Sequence, residues 1–126
     1  MTDPIEPVPD LTALSKPELK AWADAQPTPD LPEELEAYFL LDHPEARLIP
    51  VAELRASRDP EENAASVHRA MVFAAAAREG RIPKRAPITV SVEEDGAFRI
   101  LDGTSTYGAA QRAGWRTLPV LVSVEG

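Results

Sequence analysis

The sequence predicts a mixed α/β fold preceded by an acidic helical extension. Three observations predict it. From Leu48 onward the apolar patterning gives strand, long helix, hairpin, helix and strand in that order. Glycines and an Asp-Gly pair sit where those elements should end. Charge is segregated as well: the chain has a net charge of −8, yet residues 1–45 hold eleven acids against Lys16 and Lys20, so the remaining body is close to neutral. The chain therefore divides into an acidic, proline-rich extension with two short helices over residues 1–45 and an α/β domain over residues 46–126.

A chain of 126 residues is one domain's worth of core. It has no cysteine, which excludes disulfides, thiolate metal sites and a cysteine nucleophile. Two histidines, His43 and His68, are too few for a histidine-rich metal site, and no metal ligands are assigned. No run of about 18 apolar residues occurs, and Met1 to Asp10 is acidic and proline-rich rather than basic and apolar. The expectation is a cytoplasmic protein without membrane contact. The acidic balance argues against broad non-specific DNA binding, which needs a basic footprint, but leaves room for a local basic patch.

Taken in order, residues 1–15 read as an extended or disordered lead-in, with Pro4, Pro7 and Pro9 and few large apolar groups. Ser15 is placed to cap a helix that has Pro17 in its first turn and runs to about Ala25, with Leu19 and Trp22 on one face. Pro27 and Pro29 separate it from a second helix over 31–41, capped by Asp30. Both acidic helices should dock on the body of the domain, the alternative being a protein partner. His43 reads as a turn residue. Arg47 to Val51 reads as the first strand, Val51 to Leu54 as a turn and Arg55 to Pro60 as a polar loop. Glu61 to Glu79 is a long helix whose alanine run, Ala74 to Ala77, permits close approach to a sheet, and Gly80 ends it. His68 lies within that helix as a packed or surface residue. Ile88 to Val92 alternates as a strand, Asp95-Gly96 turns, and Ala97 to Leu101 returns antiparallel. After a helix ending at Gly114, Leu118 to Val124 forms the last strand.

The chemistry concentrates at Asp102-Gly103-Thr104-Ser105-Thr106. A strand, a glycine turn and a helix whose first turn is rich in hydroxyls make an anion site, because the first helical N–H groups lack intrahelical partners and the dipole there favours negative charge. The plainer reading has Thr104 or Ser105 as an ordinary N-cap and Gly103 as a turn glycine. Arg78, Arg81, Lys84 and Arg85 form the dense cationic cluster of the chain.

The run G-R-I-P-K-R-A-P-I-T-V, followed by F-R-I-L-D-G-T-S-T-Y-G-A-A-Q-R-A-G-W-R-T-L-P-V-L-V, resembles the ParB N-terminal domain of the ParB/sulfiredoxin superfamily over residues 47–124 or thereabouts. Ile49-Pro50, Gly80, Pro87-Ile88-Thr89-Val90, Asp102-Gly103, Ala109-Ala110, Gly114 and Leu118-Pro119-Val120 fall in that family's order. The resemblance implies a small mixed sheet flanked by helices and a phosphate or nucleotide pocket at the Gly103 turn. Family members bind or hydrolyse nucleoside triphosphates, cut nucleic acid, phosphorylate serine or reduce sulfinic acid. The last reaction needs a cysteine and is excluded. No helix-turn-helix or dimerisation segment follows, so a chromosome-partitioning role is not expected.

One departure bears on function. Thr106 stands where the family has an arginine, and a threonine offers one rotatable hydroxyl instead of a charged bidentate fork. Arg81, Lys84 and Arg85, in a segment that the resemblance places near the same pocket, would supply the missing cations. Gly103, Thr104, Ser105 and Thr106 would bind the phosphate. Asp102 would be the catalytic carboxylate, orienting a water or holding Mg²⁺ brought with a nucleotide, or else a turn aspartate bonding its own backbone. The reading is a domain that binds a nucleotide or nucleic-acid phosphate, with nucleotide hydrolase or nuclease activity as its catalytic form. The alternative is a non-catalytic interaction or regulatory module that keeps the fold without the chemistry.

Overall fold

The computed structural model describes residues 11–56, 62 and 64–123. Four helices, α1 (Lys16–Asp24), α2 (Leu35–Tyr38), α3 (Ala64–Arg78) and α4 (Thr104–Ala113), accompany five strands, β1 (Arg47–Pro50), β2 (Leu54–Arg55), β3 (Ile88–Val92), β4 (Phe98–Asp102) and β5 (Thr117–Val122). The strands form one mixed sheet in the order β1-β5-β3-β4-β2. The β1–β5 and β3–β4 pairs are antiparallel, and β3–β5 and β2–β4 are parallel. The α/β class is the one the sequence predicts.

Local signals explain most boundaries. Ser15 and Glu18 form a complete capping box at the start of α1: Ser15 Oγ accepts from the Glu18 N–H at 3.3 Å, and Glu18 Oε1 accepts from the Ser15 N–H at 3.0 Å. The turn between β3 and β4 closes through the Glu93 N–H donating to the Ala97 carbonyl and the Ala97 N–H donating to the Asp95 carboxylate.

The core lies between the helices and one face of the sheet. Ile49, Leu54, Ile88, Val90, Ile100, Leu118 and Val120 point into it, while Leu48 and Leu101, one residue out of phase, are exposed on the opposite face. Helix α3 packs against α1, α2 and α4. Its buried residues, from Val67 through Ala77, therefore spread around much of its circumference. The N-terminal part of that predicted helix, at 61 and 63, lies outside the described residues, as do residues 1–10, the loop positions 57–60 and Val124.

Four expectations are corrected. Leu11 is not part of an unstructured lead-in: it sits in a short 3₁₀ turn, Leu11–Ala13, and is buried. The helix expected over 31–41 shrinks to α2, because Phe39 leaves helical geometry to bridge Arg85 in parallel. Its N-cap is Glu34, without a side-chain bond, instead of Asp30. Arg55 belongs to the two-residue strand β2, paired with Phe98 and Arg99, rather than to a loop.

The acidic helices dock on the body of the domain. Leu31, Leu35, Tyr38 and Phe39 share one buried cluster with the sheet residues. Trp115 joins the two parts: its ring stacks on Tyr38 at 5.0 Å, meets Phe39 edge-on at 6.0 Å, and its Nε1–H donates to the Leu31 carbonyl at 2.8 Å. His68 makes a second tie. Its Nε2 lies 2.9 Å from the Gln26 carbonyl, which can only accept, so Nε2 carries the proton and donates. His43, as expected of a turn residue, accepts from the Glu45 N–H through Nδ1.

Candidate functional site

The Asp102–Thr106 turn is built by an irregularity in the sheet. Val90 pairs with Ile100, but Thr89 pairs with Asp102, so Leu101 is an extra residue on β4. Such a bulge bends a strand and re-aims its end. Here it carries the chain over Ile88 and into α4. Gly103 makes the turn with φ of 116°, and a β-carbon there would lie 2.4 Å from Ile88 Cγ2. Glycine is thus demanded twice, by backbone conformation and by close approach.

Gly103 is itself the N-cap of α4, and no side chain caps the helix. Neither Thr104 nor Ser105 fills the capping role that the plainer sequence reading gave them; both lie inside the first turn. The first intrahelical bond runs from the Tyr107 N–H to the Gly103 carbonyl at 2.9 Å. The N–H groups of Thr104, Ser105 and Thr106 precede it and carry the positive end of the helix dipole.

A cleft of about 360 Å³ opens in front of this turn. It is lined by Asp102, Gly103 and Thr106 from the turn into α4 and by Lys84, Arg85, Pro87 and Ile88 from the segment that enters β3. The structure therefore brings together five of the eight site residues read from the sequence. Thr104 and Ser105 share the helical turn but do not line the cleft. Arg81 lies elsewhere: its guanidinium covers the Trp22 ring at 5.0 Å and approaches Glu79 at 3.9 Å, in a separate groove between α1 and α3.

The two cations of the cleft are held by the acidic extension. The Arg85 N–H donates to the Tyr38 carbonyl at 2.9 Å, and the Leu40 N–H donates to the Arg85 carbonyl at 2.8 Å. Lys84 Nζ donates to the Glu36 carbonyl at 2.7 Å. A carbonyl does not neutralise an ammonium, and two further N–H donors stay available on Lys84. The Arg85 guanidinium packs over Phe73 at 5.8 Å, and burial lowers its pKa from the usual arginine value. An arginine so perturbed stays protonated at any physiological pH. No carboxylate forms a salt bridge with Lys84 or Arg85 among the described residues. Two cationic residues, one of them with a partly desolvated guanidinium, thus line a cleft whose one lining carboxylate among the described residues is Asp102.

Among the described residues no group of three or more His, Asp or Glu side chains could hold a metal ion. No described helix is long and apolar enough to cross a membrane. The residues sequence reasoning missed are the backbone of Glu36 to Leu40 and the wall at Pro87 and Ile88. Only the latter carried a signal, the apolar pair that opens β3.

No family model matches the chain, and no curated protein matches it by sequence. Among solved structures, the chain is similar to the C-terminally truncated chromosome-partitioning protein ParB from Caulobacter crescentus, complexed with CTP-gamma-S, with a TM-score of 0.44 and 27% identity. That match covers 64% of this chain and 45% of the ParB chain, so this chain spans less than half the length of that protein.

Proposed function

We propose that the cleft binds the phosphate of a nucleotide or of nucleic acid. One observation carries the reading: Lys84 and Arg85, without a salt bridge among the described residues, line the same cleft as the uncapped N-terminus of α4. Helix N–H groups supply directional donors and the two cations supply charge, which together match a phosphate group. The Thr106 hydroxyl adds a donor where the resembling family has an arginine. Mg²⁺ would arrive with a nucleotide, held mainly by its phosphates, with Asp102 as the carboxylate in reach. Asp102 would also be the group to orient a water for hydrolysis or strand cleavage.

Thr106 favours a second reading, a regulatory module in which the fold persists and turnover is lost, because threonine cannot stabilise transition-state charge as a guanidinium does. A nucleotide panel read by melting temperature, with and without Mg²⁺, tests the first reading. Ligand at ten times its Kd stabilises by about 1.4 kcal/mol, a shift of several degrees for a domain of this size. No shift with any nucleotide at about 1 mM, a concentration that saturates micromolar sites, would overturn phosphate binding. A shift that survives Lys84→Ala/Arg85→Ala undiminished would remove these two residues from the site. Release of inorganic phosphate that Asp102→Asn abolishes, with binding retained, decides between the catalytic and regulatory forms.

A further inference from the structure

A second surface carries two lysines that make no salt bridge among the described residues, although Lys20 adds to the field that lowers the Asp24 pKa. Lys16 and Lys20 are the two cations among residues 1–45, and with Lys84 they are all the lysines of the chain. They stand four residues apart on α1, on one face and about 6 Å apart along the axis. Eleven acids share their segment, yet neither lysine makes a salt bridge among the described residues. The acids of α1 itself are engaged elsewhere. Glu18 turns back onto the Ser15 N–H in the capping box, and Asp24 takes Arg69 through two bonds of 2.7 and 3.1 Å.

Between the two lysines lies an apolar floor. Lys16, Lys20, Pro17, Leu19 and Phe73 line an open groove of about 490 Å³. Leu19 and Phe73 are only half-buried, so the floor is reachable. The Arg85 guanidinium also lies over the Phe73 ring, at 5.8 Å from its centroid.

We propose that this groove docks an acidic peptide segment of a partner protein, one that sets a large apolar side chain on Phe73 and Leu19 and carboxylates on Lys16 and Lys20. Charge complementarity and the apolar floor argue for this occupant together. Carboxylates one helical turn apart, or two residues apart in an extended strand, match the spacing of the lysines. A nucleic-acid strand fits less well: it would gain two cations and one aromatic ring, while its backbone meets the field of a protein with a net charge of −8. A peptide with a few carboxylates meets that field weakly and gains from burying apolar surface. The groove shares no lining residue with the phosphate cleft, although Arg85 of the cleft packs over Phe73 of the groove.

The test uses the full chain and a fluorescein-labelled helical peptide with leucines along one face flanked by glutamates. A second peptide has glutamine in place of every glutamate. Fluorescence anisotropy should show saturable binding of the acidic peptide and at least tenfold weaker binding of the glutamine peptide. Lys16→Glu/Lys20→Glu should weaken the acidic peptide by about tenfold or more, the order reached when opposed charges are reversed at an interface. Both positions are exposed on α1, and unchanged circular dichroism confirms that the variant folds. Equal binding to wild type and variant, equal binding of both peptides, or no binding of the acidic peptide overturns the proposal. Displacement of the bound peptide by a single-stranded oligonucleotide at equal concentration overturns it in favour of nucleic acid.

Discussion

Gly103 and Ile88 are in such close contact that the fold has no room for a β-carbon between them: one built on Gly103 would lie 2.7 Å from Ile88 Cβ and 2.4 Å from its Cγ2. Strand β3 and the turn into α4 are thereby locked together at the wall of the cleft. Gly103→Ala should cost about 2–4 kcal/mol, combining the positive-φ penalty with overpacking against a buried branched side chain. Gly114 offers the matched control. It has φ of 77° and nothing within 4 Å of a built β-carbon, so Gly114→Ala should cost only about 1 kcal/mol. Urea unfolding of both variants checks the difference; equal losses would mean that the Ile88 contact carries no energy.

Trp115 makes the acidic extension part of the folded unit. It stacks on Tyr38 and donates to the Leu31 carbonyl, while the Arg116 N–H donates to a Glu33 carboxylate oxygen. Trp115→Phe removes the Nε1–H donor and leaves a buried carbonyl without its partner, a loss of about 1–3 kcal/mol before any cavity is counted. A chain of residues 46–126 alone loses Tyr38, Phe39, Leu31 and Leu35 from the core cluster and should not unfold cooperatively. Near-ultraviolet circular dichroism and a denaturant titration of that fragment check this; a sharp transition would show that the α/β part is self-sufficient.

How much of this was legible in the sequence depends on how far apart the interacting residues lie. Ser15 with Glu18, Asp95 with Gly96, and Gly103 and Gly114 at the ends of α4 act over three residues or fewer, and each marks its element where the structure has it. Phe39 breaks the pattern. Its helix-like spacing with Leu35 is real, but pairing with Arg85, 46 positions later, pulls it into extended geometry. Arg81 is another case: three and four residues from Lys84 and Arg85 it reads as one cluster, yet Trp22 captures its guanidinium across the fold. The two residues of β2 are too few to show any period, and only their partners Phe98 and Arg99 make them a strand.

Acid should weaken the fold through three exposed carboxylates. Asp24 has its pKa lowered by the hydrogen bond from Arg69, Asp95 by the Ala97 N–H and then by Arg55, and Glu18 by the Ser15 N–H and then the Ser15 hydroxyl. A carboxylate with a depressed folded pKa stabilises the fold above its unfolded pKa, near 4, and that contribution is lost as pH falls through the lower folded value. The midpoint of urea unfolding should therefore be flat from about pH 7 to 5 and fall below about pH 4. Asp24→Asn and Asp95→Asn should each flatten the acid limb while lowering the midpoint at neutral pH. An acid limb unchanged in the double variant would assign the loss to other groups.

Thr106 is the position at which the phosphate reading can be strengthened instead of broken. It lines the same cleft as Lys84 and Arg85 from the first turn of α4, and it is half-buried with no side-chain hydrogen bond among the described residues. A guanidinium placed there would add two parallel donors and a charge to a site that already has N–H groups and two cations. Hydrogen bonds to charged groups contribute about 1.5–3 kcal/mol, so Thr106→Arg should tighten binding of a nucleotide by about tenfold or more. Salt should also weaken the variant more steeply than the wild type, because one more charge is paired. Isothermal titration at two ionic strengths reads both effects. An arginine variant that folds with an unchanged melting temperature and binds nucleotide no better than the wild type would show that the cleft is not a phosphate site, and would leave the non-catalytic module as the reading of this fold.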